Sequence, residues 1–449
     1  MLKITQFQKN KCVASNARKT MPNIILVTID SLRPDYLGCY QGVKNNAPLT
    51  PNIDTLAEKG VIFDHAISQG GVTQTSFPAM LSGQYMCRYM DAYTGISDKR
   101  VLISEILKEL NYFTCAFNSN PYISTQLGYN RGFDYFYDNL PRISNKGLPE
   151  RIMIEYTKLK TLLKGPYHPA DKLNSKAIPL LKRKQQPYFF WIHYMDVHGP
   201  YVSKKGLTIS NRIKASILWN KSNHDLKALS KKQKAILKKT YEEEVQYFDV
   251  YFGKLLKHID LENTMIILTA DHGELLGEKN LFSHPPRNLY DELLRVPLII
   301  YYPAKIAPHR VKQNVKLLDI VPTIVDFLEI NTDIKFDGES LLPFSGLTDS
   351  KYSGKYIISE VWTKIIAIRD HQWKLIANYL DNDMQLYDLV NDKNETTNLA
   401  DTHPDIVKKM EGIIKEHLIN INAPLKELTD CRFEYDEAVK VQLKGLGYL

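Results

Sequence analysis

The apolar positions fall into two regimes along the chain. Asn23-Ile24-Ile25-Leu26-Val27-Thr28-Ile29-Asp30 is a continuous run of β-formers that ends in a carboxylate. Such a run, without polar alternation, predicts a strand buried on both faces, the mark of the centre of a parallel sheet. The pattern recurs at residues 188–194, at residues 265–271, again ending in Asp, and at residues 296–302. Shorter runs at residues 61–63 and 113–118 predict two further strands. Between these strands the spacing becomes helical. Helices are expected from residue 50, capped by Thr50 or Asn52, and over 76–82, 101–110, 231–259 and 317–328. Strands alternating with helices predict an α/β fold: a large mixed, mostly parallel sheet sandwiched by helices.

After about residue 350 the period shortens. Residues 356–359, 365–368 and 373–377 are alternating runs joined by turns, and residues 404–418 have helical spacing. They predict a small C-terminal antiparallel sheet plus a helix. The expected organisation is an N-terminal extension over 1–21, a main α/β domain over 22–350 and an α+β subdomain over 351–449. The chain has no internal repeat and no low-complexity tract.

A length of 449 residues suits two cores or one large core with an appendage. A content of 44% hydrophobic and 24% charged residues excludes disordered, collagen-like and coiled-coil classes. No apolar run approaches the roughly 18 residues of a membrane-spanning helix, so no transmembrane segment is expected. The first twenty residues contain no apolar stretch of the signal-peptide kind. Cys12, Cys39, Cys87, Cys115 and Cys431 are scattered and odd in number, which reads as reduced thiols and a cytoplasmic location.

Charge changes the picture more. The net charge is +8, but residues 157–239 hold 19 Lys+Arg and 3 Asp+Glu, a local +16 that leaves −8 for the rest of the chain. This basic helical insertion, about 140–240, suits a polyanion, an anionic membrane surface or an acidic substrate; a set of solvated Lys-rich helices explains it equally well. Nucleic acid is not an expected partner, because no recognition motif is present and few aromatic residues interleave with the Lys and Arg there apart from Trp219.

Two strand-end acids carry candidate chemistry. Asp30 closes the first strand, and Asp271 stands beside His272 in Thr269-Ala270-Asp271-His272-Gly273-Glu274. A lone strand-end Asp more often anchors a loop. An adjacent Asp and His at the ligand-binding edge of an α/β sheet suit a divalent ion instead. The stretch Gly70-Gly71-Val72-Thr73-Gln74-Thr75-Ser76-Phe77-Pro78 leads hydroxyl side chains into a helix start. These hydroxyls are open to two readings, a plain N-cap or a nucleophile held beside a metal at the positive end of a helix.

The motifs occur in a telling order: Asp30, then Thr50-Pro51-Asn52-Ile53-Asp54-Thr55-Leu56-Ala57, then the Thr73 box, then Asp271-His272-Gly273-Glu274. Leu289-Tyr290-Asp291-Glu292, Arg295-Val296-Pro297-Leu298, Leu318-Asp319-Ile320-Val321-Pro322-Thr323, Leu386-Tyr387-Asp388-Leu389 and the closing Leu446-Gly447-Tyr448-Leu449 follow. Together they resemble the sulfatase branch of the alkaline phosphatase superfamily from about Pro22 to the end, with the basic segment matching least. Ordinary members carry a Cys or Ser that matures to formylglycine where this chain has Thr73, and Thr is not a substrate for that maturation. The box formed by Thr73, Ser76, Pro78, Met80 and Ser82 is closer to the phosphoethanolamine transferases of the superfamily, which use a Thr nucleophile.

The resemblance implies one divalent metal ion held by Asp30, Thr73, Asp271 and His272. Ser31 occupies a position where many sulfatases place a second acid, which favours Zn or Mn over Ca or Mg. It implies Thr73, His198 and His284 as catalytic residues, and His193, Ser76, Arg33 and Lys279 as substrate contacts. The implied function is hydrolysis of sulfate or phosphate esters of an anionic substrate. One alternative is a phosphoethanolamine- or phosphoglycerol-type transfer to a glycan or lipid-linked acceptor. Another is a non-catalytic, polyanion-binding pseudo-sulfatase, against which the retained metal set argues.

Overall fold

The computed structural model describes residues 21–41, 49–89, 95–138, 152, 167–183, 187–202, 209–224, 229–346 and 351–423. The expected N-terminal extension, much of the basic insertion and the closing Leu446–Leu449 motif lie outside the described residues, as do Cys12 and Cys431.

Fourteen strands are described: β1 (Asn23–Ile29), β2 (Val61–Ile67), β3 (Phe113–Phe117), β4 (Tyr135–Tyr137), β5 (Tyr188–Tyr194), β6 (Thr264–Thr269), β7 (Leu275–Leu276), β8 (Phe282–Ser283), β9 (Arg295–Tyr301), β10 (His309–Lys316), β11 (Ile357–Val361), β12 (Ile365–Arg369), β13 (Trp373–Asn378) and β14 (Asp383–Asp388). Eight form one sheet in the order β10-β2-β9-β6-β1-β5-β3-β4. All its neighbours pair parallel except at β9, which runs antiparallel to both β2 and β6. The expected large, mostly parallel sheet is therefore present.

Every residue of β1, β5 and β6 is buried. Each Ile, Leu or Val so buried contributes about 1.5–3 kcal/mol, which fixes these three strands at the centre of the core. Their register pairs Ile29 with Tyr194 and Thr28 with both His193 and Thr269. That register brings Asp30, His193 and Asp271 to one C-terminal sheet edge.

The second sheet is the antiparallel meander β11-β12-β13-β14, with helix Pro404–Asn420 packed on β12 and β13. Ile366, Ile368, Leu375, Ala377 and Leu386 of this meander share a buried cluster with Ala79, Tyr85, Met86 and Leu318 of the main body. The subdomain thus buttresses the helix that starts at Thr73. The remainder of the basic segment includes helices Ala170–Leu181, Ile209–His224 and Lys231–Leu256. No helix among the described residues is long and apolar enough to cross a membrane.

Candidate active site

Helix Thr73–Ser82 begins at Thr73 itself, after Val72 in an extended conformation with no side-chain cap. The Thr73 hydroxyl is therefore not the helix cap. The turn before it is tight: a Cβ on Gly70 would lie 2.0 Å from Thr75 Oγ1. This geometry aims Thr73 Oγ1 at the sheet edge, where it donates to Asp271 Oδ2 at 3.1 Å and lies 3.4 Å from Asp30 Oδ2. Asn120, just beyond the C-terminal end of β3, donates its amide to Asp30 Oδ2 at 3.0 Å and to Thr73 Oγ1 at 3.4 Å. Ser31 adopts φ 62° and donates its hydroxyl to Asp30 Oδ1 at 2.9 Å.

Two imidazoles complete the cluster. His272 Nδ1 lies 2.8 Å from the Gly273 carbonyl, which only accepts, so Nδ1 carries the proton. Its Nε2 points at Asp30 Oδ1 (3.6 Å) and Asp271 Oδ2 (3.5 Å) with no hydrogen-bond partner among the described residues. A buried imidazole nitrogen that faces two carboxylate oxygens without a hydrogen bond is an arrangement that a shared cation would join. His193 Nε2 faces Asp30 Oδ2 at 3.4 Å, and ligand atoms of Asp30, His193 and Asp271 lie within 4.8 Å of one another. All four side chains are fully buried. The donor set fits one divalent ion of the nitrogen- and oxygen-accepting kind.

The two acids are electrostatically split. Burial alone would raise Asp30, but the nearby His198, His193 and His272 hold it well below the usual carboxylate range. Burial and the charge of Asp30 together push Asp271 up.

Three imidazole rings pack in a tilted row beside this cluster. His272 and His284 have centroids 4.6 Å apart, and His284 and His198 4.9 Å apart. Burial pushes His198 down to about 4 despite Asp30 nearby, and its Nδ1 lies 2.6 Å from the Gly199 carbonyl, so the ring is neutral. His284 behaves oppositely. Burial would lower it, but Glu274, with Oε2 3.1 Å from Nδ1, raises it and favours the protonated ring.

The structure thus brings Asp30, Thr73, Asp271, His272, His198 and His284 together. It places His193 among the candidate metal ligands instead of on the substrate side. Three of the expected substrate contacts make hydrogen bonds within the protein. The Arg33 guanidinium is held by Asp35 (2.8 and 2.9 Å), Glu278 (3.0 Å) and the Glu274 carbonyl (2.9 Å). Lys279 donates its ammonium to the carbonyls of Asn394 and Glu395 in the C-terminal subdomain. Ser76 Oγ turns back to the Thr73 carbonyl at 3.5 Å. Asn120 and Glu274 are the residues that sequence reasoning missed. Both sit within two or three residues of predicted strand ends, and that position was the one available signal.

Comparison with known proteins gives a consistent result. The family model described as Sulfatase matches residues 22–330. That described as N-sulphoglucosamine sulphohydrolase, C-terminal, matches residues 277–422. Arylsulfatase K of Canis lupus familiaris is 25% identical over 93% of this chain and 86% of its own length. The phosphonate monoester hydrolase of Agrobacterium radiobacter has a similar fold, with TM-score 0.67 and 17% identity over 90% of this chain and 95% of that one. So does a protein solved with its substrate D-glucosamine-2-N,6-O-disulfate, with TM-score 0.65 and 18% identity over 91% of this chain and 100% of that one.

Proposed function

The chain belongs to the sulfatase family, and from that premise we propose that it hydrolyses sulfate or phosphate esters with Thr73 as nucleophile in place of formylglycine. The observation that carries this reading is the Thr73 hydroxyl at a helix start, hydrogen-bonded to Asp271 and flanked by Asp30. Asp30, Asp271, His272 and Thr73 would hold one divalent ion with His193 alongside, and the imidazole donors favour Zn or Mn over Ca or Mg. When bound, the ion supplies positive charge that lowers the Thr73 hydroxyl pKa and offsets charge on the ester oxygens.

The side chains divide the remaining work. Thr73 Oγ1 forms the new bond to sulfur or phosphorus as its proton passes along its hydrogen bond to Asp271 Oδ2. Asn120 holds both Thr73 and Asp30 in place. The bond to the leaving oxygen breaks as His284, kept protonated by Glu274, gives that oxygen its proton. Neutral His198 packs against His284 with the ring planes tilted by 59° and limits its movement. Water then opens the Thr73 ester. A hydroxyl acceptor in place of water would give the transferase reading, which the Thr nucleophile itself favours.

A panel of 4-nitrophenyl sulfate, phosphate monoester, phosphate diester and phosphonate monoester, joined by D-glucosamine-2-N,6-O-disulfate, tests the reading. With Mn²⁺ or Zn²⁺ at least one compound turns over, and chelation removes the activity. An inert panel under every ion would sink the proposal. Replacing water by added sugar or glycerol hydroxyls, and assaying for the transferred group, separates hydrolase from transferase. Asn120→Ala is expected to lower kcat by about 10²-fold, the scale of losing one preorganised donor. Circular dichroism should show the fold retained; an unchanged kcat would remove Asn120 from the machinery.

A further inference from the structure

His284 is delivered by a hairpin that cannot hold its own shape. Between β7 and His284, three non-glycine residues have left-handed backbones: Lys279 (φ 53°), Asn280 (φ 55°) and Ser283 (φ 68°). Such conformations persist only where surrounding contacts over-determine them. One seat is aromatic. Phe282, in β8, packs edge-on against Trp219 with centroids 5.5 Å apart, and Trp219 packs edge-on against Tyr201 at 5.1 Å. Trp219 is only 7% exposed although it belongs to the basic helix Ile209–His224. The same indole closes on the segment that carries His198: a Cβ on Gly199 would lie 2.1 Å from its ring, so only glycine admits it.

We propose that Trp219 is a positioning residue. One ring is wedged between the residue after His198 and the residue two before His284, and it sets the spacing of the two histidines. Helix Ile209–His224 is thereby in contact with both segments that carry the histidines. The catalytic consequence rests on the reading of His284 as the proton donor. Its geometric part does not.

The expected effect has a signature that general loosening lacks. A misplaced proton donor harms poor leaving groups more than good ones, because a 4-nitrophenolate departs without help. Trp219→Ala should lower kcat on the phenyl ester about tenfold more than on the 4-nitrophenyl ester of the same acid. Trp219→Phe should restore most of that difference. Hydrogen exchange supplies the readout that needs no activity. In Trp219→Ala, amides of residues 278–284 should exchange at least about tenfold faster, while β1 and β6 keep wild-type protection. If Trp219→Ala fails to fold, Trp219→Phe carries both measurements with smaller changes of the same sign. Equal loss on both esters overturns the catalytic role, and unchanged exchange over 278–284 overturns the seat itself. A wild-type enzyme inert towards both esters would refute the ester reading, and the exchange result would still decide the role of Trp219.

Discussion

Thr73→Ala is expected to lower kcat by at least about 10⁴-fold on whichever ester the wild-type enzyme turns over, a scale typical of removing an enzymic nucleophile. Thr73 is 5% exposed, and its Oγ1 is the hydroxyl that lies within 3.4 Å of both Asp30 and Asp271. Ser31 comes nearest as a substitute, but its hydroxyl donates to Asp30 Oδ1 from a left-handed backbone. The loss should not come from unfolding. Val72 occupies the cap position without a side-chain bond, so the helix does not depend on the Thr73 hydroxyl. Ala is also the best helix former at that place. The unfolding midpoint should therefore stay within a few degrees of wild type. Thr73→Ser, which keeps the oxygen, should retain activity within about tenfold, and a labelled covalent adduct should form in it and be missing in Thr73→Ala. Near-wild-type turnover by Thr73→Ala would end the nucleophile assignment and with it the proposed mechanism.

The parts of this site that were legible in sequence lie where local pattern and tertiary position coincide. A fully apolar run ending in Asp reads as a central strand with a ligand at its tip, and β1 and β6 are such strands. The direction of a strand is not encoded that way. Residues 296–302 are apolar whether the strand runs parallel or antiparallel, so the reversal at β9 had no local signal. β10 was hidden for the opposite reason. It is an edge strand with most residues partly exposed, and it reads as a polar loop. Among the site residues, the resemblance implied Arg33 and Lys279 as substrate contacts. Of the partners they have in the structure, Glu278 for Arg33 and the carbonyls of residues 394 and 395 for Lys279 become neighbours only through the fold. Asn120 required knowing that β3 lies beside β5, one strand away from β1. His193 required the register that sets it opposite Thr28.

A second large effect should appear in stability, at the junction with the C-terminal subdomain. Lys374→Met is expected to destabilise the protein by about 3–5 kcal/mol, the usual cost of removing one partner from a buried ion cluster. Lys374 is fully buried, with its ammonium 2.7 Å from Asp291 Oδ1 and 2.6 Å from Glu395 Oε1. Arg369 adds a further bond to Asp291 at 2.7 Å. Two cations and two carboxylates thus balance, and losing Lys374 leaves an uncompensated buried negative charge. Asp291 opens the turn before β9 of the main sheet, whereas Arg369 and Lys374 lie on β12 and β13. The cluster therefore joins the two sheets.

The pH dependence of this junction follows from the same contacts. Burial would raise Asp291, but Arg369 and Lys374 prevail and hold it well below the ordinary carboxylate range. A carboxylate lowered on folding contributes stability above its unfolded pKa of about 4, and that stability is lost as pH falls below it. Removing Lys374 lets Asp291 rise towards its ordinary value, so acid unfolding of Lys374→Met should begin at a higher pH than in wild type. Lys374 itself is raised, because Asp291 and Glu395 outweigh burial. Its own contribution is complete below about pH 10 and fades only above that. Adding Glu395→Gln to Lys374→Met restores charge balance and should recover part of the loss, which distinguishes electrostatics from packing. Urea unfolding at pH 7 and at pH 4 measures wild type and both variants. A loss below about 1 kcal/mol in Lys374→Met at pH 7 would mean that the apolar contacts between the sheets, and not this cluster, hold the subdomain against the Thr73 helix.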